Sequence, residues 1–344
     1  MKKSLIALAV LAASGASFAQ VTISGKLAMG YQATTIGAVG TSSDSAGFGV
    51  ETSEIDFTAT EDLGGGMKAV AKLALAGADR SGESNAVAAG VGNAVSGRDA
   101  SLALTTSAGV LSLATARGAD YLSGGIAGVG AYYAGFDSKI FNDRSNRDSV
   151  TYTVPVGAFA LAATYQEASN LLGLGAGTTG AAATTGQSQV GVSATYTQGP
   201  VAANFAYYSV NANQGSTYKD ETRLAGAYDF GVVKVGLGAN VRNSGNAAGG
   251  RATDLLLGIK APLGALSLGA QFASRKIDDV AFISNTNSAG VKLAQGVGTI
   301  SGAALEADYA LSKRTMVIAN YARWTQVVGN DASTQFQLLL SHTF

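Results

Sequence analysis

The chain has 344 residues, and its 23 lysines and arginines balance 23 aspartates and glutamates, which argues against nucleic acid as a partner. It contains no cysteine, which excludes disulfides and thiolate metal sites. Glycine is abundant, only 13% of the residues are charged, and after residue 19 no apolar run reaches the roughly 18 residues that a membrane-spanning helix needs.

The first nineteen residues differ from the rest of the chain. Two lysines begin the segment, the apolar stretch Leu5 to Ala13 is too short to span a bilayer, and Ser17 to Ala19 has the small-x-small pattern of a cleavage site. We therefore expect residues 1–19 to be a secretory signal peptide and residues 20–344 to be the exported domain.

From residue 20 onward the dominant pattern is alternation of apolar residues with polar or small ones. In residues 189–196, for example, apolar residues occupy the even positions, and the alternation resumes in residues 201–207 after a turn. A period of two indicates strands with one apolar face. The pattern predicts sixteen strands, at 20–36, 48–61, 66–78, 97–106, 110–117, 147–155, 158–168, 187–197, 201–211, 218–230, 232–242, 251–261, 265–276, 293–310, 315–327 and 333–344.

Short turns and long polar connections alternate between these strands, so the two classes of connection belong to opposite ends of the sheet. Aromatic residues cluster next to the short turns, as expected at a membrane–water interface. They are Phe57, Phe159, Tyr196, Phe205, Phe230 and Tyr309. An even number of strands, apolar on one face and polar on the other, predicts a closed 16-stranded antiparallel transmembrane β-barrel.

Several segments resemble the general porins of Gram-negative outer membranes, in particular the β-proteobacterial type. The matching segments are "TEDLGGGMKAV" (60–70), "RSNRDSVTY" (144–152), "AYDFGVVKVGLGA" (227–239), "ADYALSKRT" (307–315) and the final "SHTF". The resemblance implies a homotrimer in the outer membrane whose third outer loop, 118–146, folds into the pore. It also implies that the barrel assembly machinery recognises Phe344 as an assembly signal.

Candidates for the pore lining and its constriction come from the strands and from this loop. A charge on the lipid face costs about 2–4 kcal/mol for lysine or arginine, so charged residues in phase with the polar face indicate a wet interior. The candidates are Glu54, Asp56, Lys68, Lys72, Arg223 and Arg242 on strands, Arg117 and Arg147 at the strand ends beside the loop, and Asp120, Asp137, Lys139 and Arg144 within it. The alternative for each is a solvated wall residue away from the constriction.

The sequence does not decide between a preference for anions and one for cations. The family often carries arginines in a second strand of the type "SRFGFRGTEDLGGG", whereas this chain reads "SEIDFTATEDLGGG", with Glu54 and Thr58 at those positions. The usual "LGRQ" before the third loop reads "LATARG" here, which displaces Arg117. The anion preference of many relatives therefore does not carry over directly.

Function follows from the barrel: passive diffusion of ions and small hydrophilic solutes through a water-filled channel that needs no cofactor. A solute-specific channel is the nearest alternative. An enzyme is disfavoured because the single histidine, His342, shares the predicted apolar face of Leu340 and Phe344, away from any lumenal nucleophile. A structural barrel or adhesin with a plugged lumen is the remaining alternative.

Overall fold

A computed structural model describes residues 20–38, 41–77, 95–117, 122–137, 139–141, 146–168, 188–211, 218–245, 249–278, 297–325 and 332–344. The predicted signal peptide and two candidates of the third loop, Asp120 and Arg144, lie outside these ranges.

The described residues form sixteen strands that pair in chain order as an antiparallel, closed barrel, as predicted. Each strand pairs with its sequence neighbours, and the last strand pairs with the first. The strands are β1 (Gln20–Ala38), β2 (Thr41–Gly64), β3 (Met67–Ala76), β4 (Ser96–Thr106), β5 (Gly109–Arg117), β6 (Asn146–Val156), β7 (Phe159–Ala168), β8 (Ser188–Gln198), β9 (Val201–Val210), β10 (Tyr218–Asp229), β11 (Lys234–Ser244), β12 (Arg251–Leu263), β13 (Leu266–Ile277), β14 (Gly298–Ala310), β15 (Thr315–Thr325) and β16 (Ala332–Thr343).

The largest difference from the predicted boundaries concerns the first hairpin. β2 begins at Thr41 rather than at residue 48, so β1 and β2 stay paired up to Ala38 and Thr41. The added segment reads "TSSDSAG" and lacks apolar alternation. A strand shows apolar alternation only where one of its faces meets lipid or a protein core. The polar segment at the start of β2 therefore lacks the pattern from which a strand is predicted.

The two faces of the sheet differ as the alternation predicts. On β12, Leu255 is 49% exposed, whereas its neighbours Asp254 and Leu256 are each 2% exposed. The outward face is therefore aliphatic, and the inward face is polar or buried. Outward aromatic rings pair near the short turns, with centroids 5.0 Å apart for Phe159 and Tyr196. Within the described ranges, no helix is long and apolar enough to cross a membrane.

The barrel closes between β1 and β16. Their register runs from Lys26 opposite Thr343 to Thr35 opposite Thr334. Beyond it, Gly25 and Phe344 exchange two backbone N–H···O bonds of 3.1 Å. The Phe344 ring lies over Gly25, where an added Cβ would come within 2.8 Å of Phe344 Cε2. A glycine at position 25 is therefore needed for the last ring to lie flat on the first strand.

A buried apolar cluster lies inside the barrel. The connection between β5 and β6, described at residues 122–137 and 139–141 and called the inner loop below, packs against the inward faces of β10 and β12 to β15. Its buried members include Leu122, Phe136, Ile140 and Phe141, and the wall contributes Trp324 together with small residues. The inner loop thus occupies one side of the lumen, where Ile36 of β1 also packs against the cluster, and leaves the inward faces of β2 to β9 on the other.

Candidate functional site

The wall beneath the inner loop carries several inward glycines. An added Cβ at Gly236, Gly238 or Gly269 would lie 2.7 Å from an inner-loop atom, and one at Gly258 would overlap the carbonyl oxygen of Val129. Glycine weakens a strand, but it allows another backbone to approach closely. These inward glycines therefore form a seat for the inner loop.

Hydrogen bonds fix the loop on this seat. The Glu306 carboxylate on β14 accepts three backbone N–H bonds, from Tyr132 (3.0 Å), Tyr133 (2.8 Å) and Ala134 (3.2 Å). Gln271 donates to the Val129 carbonyl at 3.1 Å. Charge-assisted bonds to backbone N–H groups are among the stronger protein hydrogen bonds. Glu306 is therefore the main polar anchor of the loop, and its role follows from the packing of the loop, which strand alternation does not reveal.

Lys139 holds the far end of the loop. Its ammonium donates to the Gly135 carbonyl at 2.7 Å and lies 5.7 Å from the centre of the Trp324 ring. Burial lowers the pKa of Lys139 to about 8, although nearby carboxylates, Glu51 foremost, act in the opposite direction. This candidate residue therefore has structural contacts under the loop as well as a charge inside the barrel.

Two other candidates, Arg223 and Arg242, belong to an ion network on β10 to β13. Arg242 and Arg275 both bind Asp254, at 2.8 Å and 2.5 Å. Arg223 binds Glu221 at 2.8 Å. Arg275 is 2% exposed and Arg242 is 6% exposed. Arg242 therefore supports the wall rather than facing the open lumen, whereas Arg223 is partly exposed.

The wall formed by β1 to β4 carries most of the charged candidates that face open space, and Glu54, Asp56 and Lys72 among them are paired. Glu54 binds Arg98, and Arg98 also binds Asp99 at 3.1 Å. Lys72 lies 3.3 Å from Asp56. The inward face thus presents alternating positive and negative groups, which we call the charged wall. Lys68 lies on the same strand as Lys72, four residues nearer the short turn and opposite Asp62.

Lys26 joins the charged wall to the inner loop. It is the register partner of Glu54, and its ammonium lies 4.5 Å and 4.8 Å from the ring centres of Tyr133 and Tyr132. Such cation–aromatic contacts contribute about 0.5–2 kcal/mol. The edge of the inner loop therefore meets the wall at a lysine that the sequence analysis did not select.

Arg98 was also missed, because it sits at a break in the alternation. The β3–β4 register shifts between Ala74 and Leu75, which pair with Asp99 and Gly97 and leave Arg98 as the extra residue. A similar shift on β2 leaves Glu51 between Val50 and Thr52. A bulge re-aims a side chain without any change in residue type, so counting alternate positions cannot reveal it.

The remaining candidates are described only in part. Arg147 begins the inward series of β6 and pairs in register with Ala116 and Ala168. The backbone of Arg117 pairs with Asn146 at the end of β5, but its side chain lies outside the described part. Asp137 lies in the inner loop, half-buried. His342 is exposed on the outward face, and its Nδ1 lies 2.9 Å from Thr315 Oγ1.

Known proteins resemble this chain in sequence and in fold. A family model described as "Gram-negative porin" matches residues 5–327. Outer membrane porin protein 32 of Delftia acidovorans is 51% identical over 72 residues, which amount to 20% of this chain and 20% of that protein. The matched segment thus spans a fifth of the length of this relative.

Solved structures match over nearly the whole chain. The anion-selective porin from Comamonas acidovorans has a TM-score of 0.67 at 20% identity, covering 95% of this chain and 100% of that chain. A triple mutant of the Rhodopseudomonas blastica porin has a TM-score of 0.61 at 16% identity, covering 94% and 100%. At these identities the likeness establishes a common fold.

The packing of the inner loop on the inward glycines can be tested by substitution. Gly258→Leu places a side chain where the Val129 carbonyl lies, so we expect the inner loop to leave the wall and the single-channel conductance in planar bilayers to rise, roughly doubling. Gly226→Leu is the matched control, because Gly226 points outward and its nearest neighbouring atom is 3.8 Å away. An unchanged conductance in a folded Gly258→Leu barrel would contradict the seat.

Proposed function

The chain belongs to the Gram-negative porin family, and on that premise we propose that it forms a water-filled channel in the outer membrane for passive diffusion of ions and small hydrophilic solutes. The observation that carries the proposal is the segregation of the two faces of a closed barrel. Charged side chains of the charged wall point inward, while leucines and aromatic rings cover the outside. A sixteen-stranded barrel is wide enough to leave an aqueous lumen.

Transport through such a lumen needs no cofactor and no chemical step. The flux depends on the aperture and on the potential of the lining, and the inner loop narrows the lumen from the side of β10 to β15. Within the lumen, we propose that the constriction lies between the inner loop and the charged wall. The half-buried Asp137 and Lys139 lie on the loop side, and Glu54, Asp56 and Lys72 lie on the wall side.

The proposal includes export and assembly. Residues 1–19 direct export, and three copies of the mature chain form a homotrimer, as the family resemblance implies. An aliphatic outward face on β1, with Val21, Ile23 and Leu27 exposed, supports burial against lipid or a second copy. Phe344, 46% exposed at the closing seam, is the residue that the assembly machinery recognises.

Ion preference follows from the charged wall. The solved Comamonas porin is described as anion-selective. In this chain, acids and bases alternate on the charged wall, with Glu54 and Asp99 on Arg98 and Asp56 on Lys72. The fields of two opposite charges 3.1–3.3 Å apart largely cancel at distances greater than their separation, and salt screens the remainder. We therefore propose a weak preference between anions and cations.

Recording from planar bilayers tests the channel itself. Purified protein should insert with an ohmic conductance that closes in three equal steps, one for each subunit, and reversal potentials in a salt gradient should be small. Electrically silent insertion would refute the channel and would favour a structural barrel. Closure in a single step would refute the homotrimer alone.

Arg98→Gln tests the charged wall. Removing this guanidinium leaves Glu54 and Asp99 without their shared cation, so the permeability ratio of potassium to chloride should increase about two- to threefold. Lys276→Gln is the control, because it removes a cation from the outward face, where Lys276 lies 3.2 Å from Asp278. Equal shifts of the reversal potential in both variants would exclude a specific role for Arg98.

Two variants separate the recognition of Phe344 from its packing. Deleting Phe344 should leave most of the chain unassembled in the periplasm. Gly25→Val keeps Phe344 but fills the place of its ring, so this chain should reach the outer membrane as a barrel that unfolds at lower temperature in detergent. Normal amounts of folded trimer after the deletion would show that Phe344 is not the signal.

A further inference from the structure

The inward face of β6 to β9 differs from the rest of the lumen. Beyond Arg147, at the outer end of β6, its described side chains carry no charge. The two acids of this stretch, Asp148 and Glu167, alternate in phase with Val150 and Tyr165 on the outward face. Six of the polar inward side chains form hydrogen-bonded pairs and are called the neutral wall below: Thr151, Thr164, Gln166, Gln189, Thr195 and Asn204.

Hydrogen bonds between strands order the neutral wall. Thr151 and Thr164 hydroxyls lie 3.1 Å apart, and Gln189 donates to Gln166 at 2.7 Å. Asn204 donates to Thr195 at 2.7 Å. A hydroxyl can donate one bond and accept two, and an amide carries two donors and one acceptor oxygen. The half-buried threonine pair and the Asn204–Thr195 pair therefore retain hydrogen-bonding capacity toward the lumen, whereas Gln189 is buried.

The most exposed described surface of the inner loop is also uncharged, whereas its charged residues Asp137 and Lys139 are half-buried. The exposed surface consists of Gly124, Gly125 and Tyr132, the last 64% exposed.

Charged groups that face the described lumen lie on β1 to β4 and also on β10 to β14, where Arg223, Lys234 and the Lys260–Asp308 pair are at least partly exposed. The neutral wall on β6 to β9 is therefore an uncharged sector of the lumen between two charged ones.

We propose that the neutral wall gives the channel a preference for uncharged polyhydroxylated solutes, such as small sugars and polyols. The inference rests on the proposed channel function and specifies its solute class. A sugar hydroxyl both donates and accepts, so it can exchange a water for a wall hydroxyl or amide with no polar group left unpaired. An ion gains no such match, because a neutral wall replaces its hydration shell poorly.

Isosteric variants of the threonine pair test the proposal. Thr151→Val with Thr164→Val keeps the volume of both side chains and removes both hydroxyls. The rate at which glucose swells proteoliposomes should fall about two- to threefold, since the sugar loses two hydroxyl partners on the wall. Conductance in potassium chloride should stay at the wild-type level.

Three controls make the outcome decisive. Thr151→Ser with Thr164→Ser keeps the hydroxyls and should retain glucose entry. Thr195→Val provides a second site if the double valine variant fails to fold, with the same expected loss of glucose entry. Thr253→Val removes a hydroxyl from the outward face and should have no effect.

Glucose entry that stays unchanged in folded valine variants overturns the proposal. So does a loss that is matched by an equal loss of potassium chloride conductance, because a narrower or drier pore would then explain both. Absence of any conductance in the wild type is a different outcome, since it refutes the channel function on which the inference rests.

Discussion

The constraint on which the rest of this structure depends is the pairing of backbone groups in a medium without water. Each N–H and C=O inside hydrocarbon needs an internal partner, and an open sheet leaves two edges unpaired. The chain meets this requirement by joining β16 to β1, and the final pair, Gly25 and Phe344, still exchanges two bonds of 3.1 Å. Closure then fixes which side chains meet lipid and which meet the lumen. The alternation of apolar and polar residues is a consequence of this single requirement.

A closed ring of sixteen strands creates a second problem, because its interior is too wide for wall side chains to fill. The chain solves it with the inner loop, and the wall residues beneath the loop change accordingly. Glycines at 236, 238, 258 and 269 give up strand stability so that a second backbone can lie on the sheet. Glu306 then accepts the N–H groups of a loop segment that has no regular secondary structure of its own. The side of the lumen covered by the loop becomes a protein core, while the opposite side stays wet.

The parts of this architecture that depend on a regular period could be predicted from the sequence. Sixteen strands, the closing pair and the outward aromatic residues near the short turns all follow from alternation along the chain. The parts that depend on irregularity could not. Arg98 and Glu51 sit at bulges, where an extra residue breaks the count, and the extension of β2 from Thr41 has no apolar face to reveal it. The role of Glu306 depends on where the loop lies, which no local pattern encodes.

Arginines inside the barrel therefore have different roles, depending on whether the inner loop covers them. Arg275 and Arg242 share one carboxylate beneath the loop, and Arg275 also faces the Phe141 ring at 5.9 Å. Removing one partner from a buried ion pair costs about 3–5 kcal/mol, because the other charge is left without compensation. Arg98 forms a comparable network on the open wall, where solvent weakens each pair to about 0–1 kcal/mol. An arginine under the loop thus stabilises the barrel, while an arginine on the open wall contributes little stability and mainly sets the potential that a passing ion meets. Both kinds of arginine face the inside of the barrel, so the position of the inner loop separates the two roles.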